Sequence, residues 1–157
     1  MAREDLEATL AHLRDEKYEI TSPETPRYNC FAWAADDDQH WWEPPNPLYD
    51  LLDPVPTRFW PEGALLELTV AGLVSAFATR HYSECDTGDL EPGFEKVAIY
   101  VNAATGLPTH AAKQLETGAW TSKIGAWEDV THSTLQGVEC PDYGRAVRFL
   151  RRPRQEG

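Results

Sequence analysis

A single cysteine, Cys30, follows an asparagine and opens the run CFAWAA. A thiol in that position can be a small core residue, a metal ligand or a nucleophile. Asn29 is a good helix cap, because its side-chain oxygen accepts from the free amides of a first turn. Sulfur at such a turn meets positive potential, which favours the thiolate, the reactive form. Free cysteine is also among the most buried residue types, so an inert core thiol stands beside the chemical reading. A nucleophilic cysteine needs a base, usually a histidine distant in sequence. His12 and His40 fall on a charged helix and behind an acidic run, as surface residues do. His81 and Cys85 stand four apart, a metal-like spacing without a second ligand pair. His132 follows GAWEDVT near a strand or turn. His110 opens a β-segment beside two alanines, whose small side chains leave room for an approaching helix end.

The elements that must position these groups follow from pattern. EKVAIYVN (95–102), THAAKQL (109–115), AWTSKIG (119–125) and GRAVRFLRR (144–152) read as strands. A three-residue loop at Glu116, Thr117 and Gly118 sets Gln114 opposite Trp120, Ala112 opposite Ser122 and His110 opposite Ile124. Ser122 is then a diagonal neighbour of His110, placed to orient its ring. A change of one residue in the loop substitutes Thr121 or Lys123. Asp129 and His132 are the other candidates for the third role. Ser122, Lys123, Asp129 and His132 can equally form a structural polar cluster.

Leu6, Leu10 and Leu13 recur at helical spacing, which predicts an amphipathic helix over 5–16 within an N-terminal segment 1–20. Thr69 caps a helix whose stripe is Val70, Leu73, Val74 and Phe77. Six prolines between Pro44 and Pro61 predict a stiff, aromatic-rich loop over 43–62, packed through Trp41, Trp42, Phe59 and Trp60. Helices first and then an antiparallel meander give an α+β expectation: one domain, 1–157, with helices on one side of a small antiparallel sheet.

At 157 residues the chain is long enough for one substantial core. A net charge of −12 argues against nucleic acid and anionic membranes as partners. Arg145, Arg148, Arg151, Arg152 and Arg154 crowd the C-terminus and read as a solvated strand end. Asp36, Asp37 and Asp38 lack the spaced oxygens of a cation loop and read as a solvated helix end. Three cysteines, an odd count, predict reduced thiols. With a charged N-terminus and no long apolar stretch, this predicts a cytoplasmic protein, unless the chain is a module cut from a larger exported one.

The pattern YNCFAWA…EKVAIY…THAAKQL…WTSKIG…EDVTH resembles the papain-like cysteine hydrolase superfamily, especially its NlpC/P60-like branch, and a small bacterial family of uncharacterised proteins. The resemblance covers about residues 27–132, with a papain-like core expected over 27–152. It implies Cys30 as nucleophile and a sheet histidine as base, with no cofactor. His110 matches the position of that branch's third, polar member, while other papain-like branches carry the base on the second strand and its orienting residue on the third, which fits His110 and Ser122. Lys96 departs from it, standing where that branch carries its base. Three readings result. The first is a cysteine hydrolase or acyltransferase in which Cys30 attacks a peptide or other acyl substrate, His110 shuttles the proton and Ser122 orients the imidazole. Trp33 and the tryptophan-rich loop would then wall the cleft. The second is a non-catalytic papain-like module binding a basic protein partner, for instance one associated with a toxin or defence system. The third is a zinc site of Cys and His.

Overall fold

From Glu95 to Tyr100 every residue of the run FEKVAIYV is buried. A strand with one wet face alternates apolar and polar residues, whereas one covered on both faces runs apolar. Residues 94–101 are therefore a central strand. The computed structural model, which describes residues 3–52 and 54–154, builds the molecule around it. Met1, Ala2, Asp53 and 155–157, parts of the segments expected at 1–20, 43–62 and over the whole chain, lie outside the described residues.

In chain order the strands are β1 (Tyr18–Ser22), β2 (Trp41–Trp42), β3 (Arg58–Phe59), β4 (Ser83–Cys85), β5 (Phe94–Val101), β6 (Pro108–Gln114), β7 (Trp120–Lys123), β8 (Asp129–His132) and β9 (Arg145–Pro153). Seven of them form one antiparallel sheet, ordered β1-β8-β7-β6-β5-β9-β4, while β2 and β3 make a short parallel pair. The helices are short: α1 (Arg3–Thr9), α2 (Cys30–Ala34), α3 (Pro47–Leu52) and α4 (Val70–Ala78).

This overturns the expected papain-like arrangement of helices packed on one side of a small sheet. The sheet is the dominant element, and both of its faces are covered. On one face α2 and α4 bring Phe31, Leu73 and Phe77 against Val97, Ile99, Ala111 and Leu150. On the other, α1 and the 3-10 turns at Ala11–Asp15 and Leu135–Val138 bring Leu6, Leu10, Leu13 and Val138 against Ala98, Tyr100, Ala112, Trp120 and Val130. The continuous burial of β5 is the physical reason.

Other elements differ more locally. The leucine stripe expected over 5–16 is kept, but Leu10 leaves the helical region (φ −115°, ψ 74°) and the helix continues as a 3-10 turn. The proline-rich segment contains α3, whose Pro47 occupies a first helical turn where its missing N–H costs nothing, and Asn46 accepts from the Leu48 amide. Of the C-terminal arginines, Arg145 and Arg148 are exposed as a solvated strand end, but Arg151, Arg152 and Arg154 are not. β9 lies inside the sheet, where Arg152 pairs with Glu95 and Asp36, Arg151 with Glu91, and Arg154 with Glu95. Lys113 also pairs with Asp36, so the residue just past α2 is tied to two strands.

Candidate functional site

Asn29 sets the position of Cys30. Its Oδ1 accepts from the Ala32 amide, closing the first turn of α2, and also from the Trp42 amide, both at 3.1 Å. Its Nδ2 donates to the Trp42 carbonyl at 2.8 Å. One side chain thus caps the helix and fastens it to β2. The capped turn presents Cys30 to β6 at Ala111, in an almost fully buried apolar setting. Burial pushes the thiol up to about 12, against the pull of the Ala111 and Phe31 backbone amides and the Lys123 charge. The expected stabilisation of thiolate by a helix start is present in kind but outweighed. A helix of five residues aligns few dipoles, and the sulfur has left water.

The β6–β7 hairpin has the register expected from its loop. The Leu115 amide donates to the Ala119 carbonyl at 2.7 Å, and Gly118 takes the positive φ of 92° that closes the turn. Gln114 pairs with Trp120 and Lys113 with Thr121. Ser122 consequently reaches His110 diagonally, with 2.9 Å between Oγ and Nε2. Ser122 Oγ also lies 2.8 Å from Nε2 of His132, whose Nδ1 lies 2.7 Å from the Thr134 carbonyl.

These contacts assign the protons. A carbonyl oxygen only accepts, so His132 carries its proton on Nδ1 and donates to Thr134. Its Nε2 then accepts from the Ser122 hydroxyl. Ser122 Oγ in turn accepts from His110 Nε2–H. His110 Nδ1 is left with a lone pair and has no hydrogen-bond partner among the described residues. Tyr143 stacks on the His110 ring at 4.4 Å between centroids, and Tyr100 meets it edge-on at 5.2 Å. Burial, with a smaller contribution from His132, pushes the His110 imidazole down to about 3. Burial also lowers His132, against the raising effects of the Thr134 carbonyl and Glu16. Both rings are neutral at physiological pH.

His110 and Ser122 are brought together; Cys30 joins neither. Side chains alternate across a strand. Ala111 packs with Cys30 on the α2 face, so His110 and Ala112 project to the opposite face, among Tyr100, Trp120 and Val130. No hydrogen bond joins the Cys30 sulfur to the His110 ring. The polar residues of 122–132 are divided by the same alternation. Ser122 and His132 lie with His110, while Lys123 and Asp129 lie on the Cys30 side.

Lys123 is the neighbour of Cys30 that sequence reasoning did not assign. Its ammonium donates to the carbonyls of Thr25 at 2.8 Å and Gly125 at 2.5 Å and lies 5.0 Å from the Tyr28 ring centroid. Burial lowers it to about 8, although Asp129, Cys30 and Glu128 oppose the shift. Tyr28 donates its hydroxyl to Asp129 at 2.7 Å, and burial raises the Asp129 carboxyl. Strand alternation was the available signal: if Ser122 faces His110, the next residue must face Cys30. Trp33 donates its indole N–H to Thr121 at 3.0 Å and packs on the α2 core, and Lys96 donates to the Thr87 carbonyl on the far side of β5. Among the described residues, no group of three or more His, Cys, Asp or Glu is arranged to hold a metal ion; His81 precedes β4 and Cys85 is its last residue. No helix among them is long and apolar enough to cross a membrane.

The second feature with functional character lies on the segment after α2. Leu48, Leu51 and Leu52 of α3 are 63%, 81% and 72% exposed. Leu65, Leu66 and Leu68 are exposed farther along the same segment. Beside β3 lies a groove of about 310 Å³ lined by Pro45, Pro54, Val55, Phe59 and Trp60 together with the Glu43–Arg58 ion pair at 2.8 Å. Trp60 donates its indole N–H to the Leu65 carbonyl, which joins the groove to the second set of leucines. Leucines at i, i+3 and i+4 share one helix face, and such a face is normally buried.

Comparison with known proteins gives one family. The model of a domain of unknown function, DUF7689, matches residues 19–151. No curated protein and no solved structure matches the chain.

Proposed function

The chain belongs to the DUF7689 family, and from the geometry of its sites we propose that it is a binding module engaging a basic protein partner rather than a Cys30–His110 hydrolase. The observation that carries this reading is the exposed leucine face of α3. Three large apolar side chains on one face of a helix are costly to leave in water and are repaid when a partner covers them, at about 25 cal/mol per Å² of apolar area removed from water. Charge supports the sign of the partner. Residues 43–68 carry five acidic side chains and one basic one, within a chain of net charge −12. The three free thiols fit a reducing, cytoplasmic setting.

The thiol chemistry lacks its partner. The Cys30 sulfur is protonated at neutral pH, and the imidazole expected to activate it donates to Ser122 on the other face of the sheet. A synthetic amphipathic helix of leucine and lysine, compared with its leucine–glutamate counterpart, tests the binding reading by isothermal titration. The lysine peptide should bind and the glutamate peptide should not, and Leu51→Ser/Leu52→Ser should weaken binding at least about tenfold. Equal binding of both peptides, or an unchanged double variant, defeats the reading.

A further inference from the structure

We propose that Cys85 and the cavity beside it form a thiol-exchange site for small disulfides of the amino-acid type, which carry both carboxylate and ammonium groups. Its chemistry is independent of the exposed leucine face.

The site lies at the edge strand β4, where a cavity of about 440 Å³ is lined by Cys85, Thr87, Glu91, Lys96 and Arg151, with Glu84 and Asp86 also on its border. A volume of that order accommodates a small molecule. Strand pairing brings its reactive and charged groups together. Lys96 of β5 and Ser83 of β4 both pair with Arg151 of β9, and Cys85 stands two residues beyond Ser83. Cross-strand partners share a face, as do residues two apart, so the thiol, the guanidinium and the ammonium lie on one side of the sheet. The Thr87 carbonyl accepts from Lys96 Nζ at 2.9 Å and from Cys85 Sγ at 3.4 Å, which gathers sulfur and ammonium around a single oxygen.

The walls are set before a ligand arrives. The loop after β4 is pinned at Gly88, whose carbonyl accepts from the Gln114 side chain at 2.7 Å. It lies so close to the sheet that a Cβ on Gly88 would stand 3.0 Å from the Phe149 ring. The Lys96 side chain is only 4% exposed, so its charge belongs to the wall and not to the surrounding water. Cys85 is partly exposed, which leaves the sulfur open to a reagent.

Charge selects the reagent. Lys96 and Arg151 share Glu91, which lies 3.5 Å from the ammonium and also pairs with the guanidinium. Two cations against one carboxylate leave a net positive charge where a ligand carboxylate can sit, and a guanidinium with five donors has N–H groups to spare for it. Asp86, on the loop side, suits a ligand ammonium. Glu84 borders the cavity too, but its carboxylate faces Arg148 at 4.0 Å. A reagent with only negative groups would meet Asp86, and one with only positive groups would meet Lys96 and Arg151. A disulfide of the amino-acid type satisfies both.

In the exchange the Cys85 thiolate attacks one sulfur of the bound disulfide. A bond forms between Cys85 and that sulfur, the reagent's own S–S bond breaks, and the departing thiolate takes up the proton that Cys85 gave to solvent. Cys85 is oxidised and the departing half reduced, with the disulfide itself as oxidant. The half that stays keeps its carboxylate beside Lys96 and Arg151, and an excess of free thiol reverses the step.

The test uses the reduced full chain and peptide mass spectrometry, with Cys140 as internal reference. Cys140 is also partly exposed, but its charged chain neighbours, Glu139 and Asp142, are acidic. Three probes are compared at neutral pH: oxidised glutathione, which carries carboxylates and ammoniums, cystamine, which is only cationic, and hydroxyethyl disulfide, which is uncharged. Oxidised glutathione should modify Cys85 at least about tenfold faster than Cys140, and added salt should shrink that preference. Cystamine and hydroxyethyl disulfide should not show it. Arg151→Gln should slow the reaction of Cys85 with oxidised glutathione several-fold more than its reaction with hydroxyethyl disulfide. If that variant fails to fold, the three probes on the wild-type chain still decide. Equal modification of both cysteines by oxidised glutathione overturns the site. So does an equal preference for Cys85 with the uncharged probe, since exposure alone would then account for it, or a preference for Cys85 that is largest with cystamine.

Discussion

Acid should destabilise this protein through His110 well before its carboxylates are fully protonated. The ring is buried, stacked under Tyr143, and its pKa is pushed down to about 3 from an ordinary 6.5. The sign follows from linkage. A histidine that resists protonation when folded takes up its proton freely when unfolded, so the unfolded state gains as pH falls through 6.5. The penalty is absent above that range and complete only below the folded value. At pH 5.0 the two pKa values correspond to about 2 kcal/mol of lost stability, and at pH 7.5 to less than about 0.1 kcal/mol. Against a domain stability of about 5–15 kcal/mol the effect is readily measured. The clean comparison is with His110→Gln, whose side-chain amide keeps a donor toward Ser122 but does not titrate. Replacing the stacked ring should lower stability at every pH. Between pH 7.5 and 5.0, however, the gap between wild type and variant should close by about 2 kcal/mol. Urea denaturation at both pH values supplies the numbers. Asp37, Glu91 and Glu95, whose carboxyls are held below the usual range, titrate alike in both proteins and cancel in the difference. A gap independent of pH would show that the His110 environment is wetter than its packing implies.

Further outcomes follow from the same contacts. In the native protein Cys85 and Cys140, both partly exposed, should be alkylated by iodoacetamide at pH 8 long before Cys30; comparable rates for all three would contradict the burial of the sulfur. Asn29→Ala removes the cap of α2 and both bonds to Trp42, and should cost about 3 kcal/mol in urea denaturation. Asn29→Asp, which keeps the accepting oxygen, should cost less. Gly144→Ala places a methyl group 2.0 Å from the Val101 carbonyl at a residue with φ of 76°. It should lower stability by more than about 2 kcal/mol and loosen the Tyr143–His110 stack, visible as loss of near-ultraviolet circular dichroism.

Local geometry proved easier to read from the chain than layer arrangement. The Asn29 and Thr69 caps, the β6–β7 turn and the diagonal contact of His110 with Ser122 all depend on residues close in sequence. Their physics is contained in a few side chains and one backbone turn. The covering of the sheet is not local. KVAIYV already lacked the alternation of a half-wet strand, but a single apolar strand does not say which helices lie on which side. That depended on Leu6, Leu10 and Leu13 docking beneath Tyr100 and Trp120. β1 and β8 show the same limit, since Tyr18 finds His132 across more than a hundred residues. α3 was masked by the prolines around it, although Asn46–Pro47 is a helix-starting pair.

The separation of Cys30 from His110 is built into β6 and does not depend on how a side chain happens to lie. A helix end approaches a strand most closely over a small residue, and the triplet His110, Ala111, Ala112 offers two. α2 settled on Ala111. The period of two then sends His110 away, and no rotamer change reverses that. Only a slip of β6 by one residue would turn the imidazole toward the sulfur. The same slip would carry Lys113 off Asp36 and Glu95 and into the apolar face beside Trp120, leaving buried charges unpaired. It would also break the Ser122 contacts to Nε2 of both imidazoles. The charge network at the end of α2 and the histidine chain on the opposite face therefore hold the same register from two sides. Both polar clusters stabilise the sheet and the seat of α2 upon it.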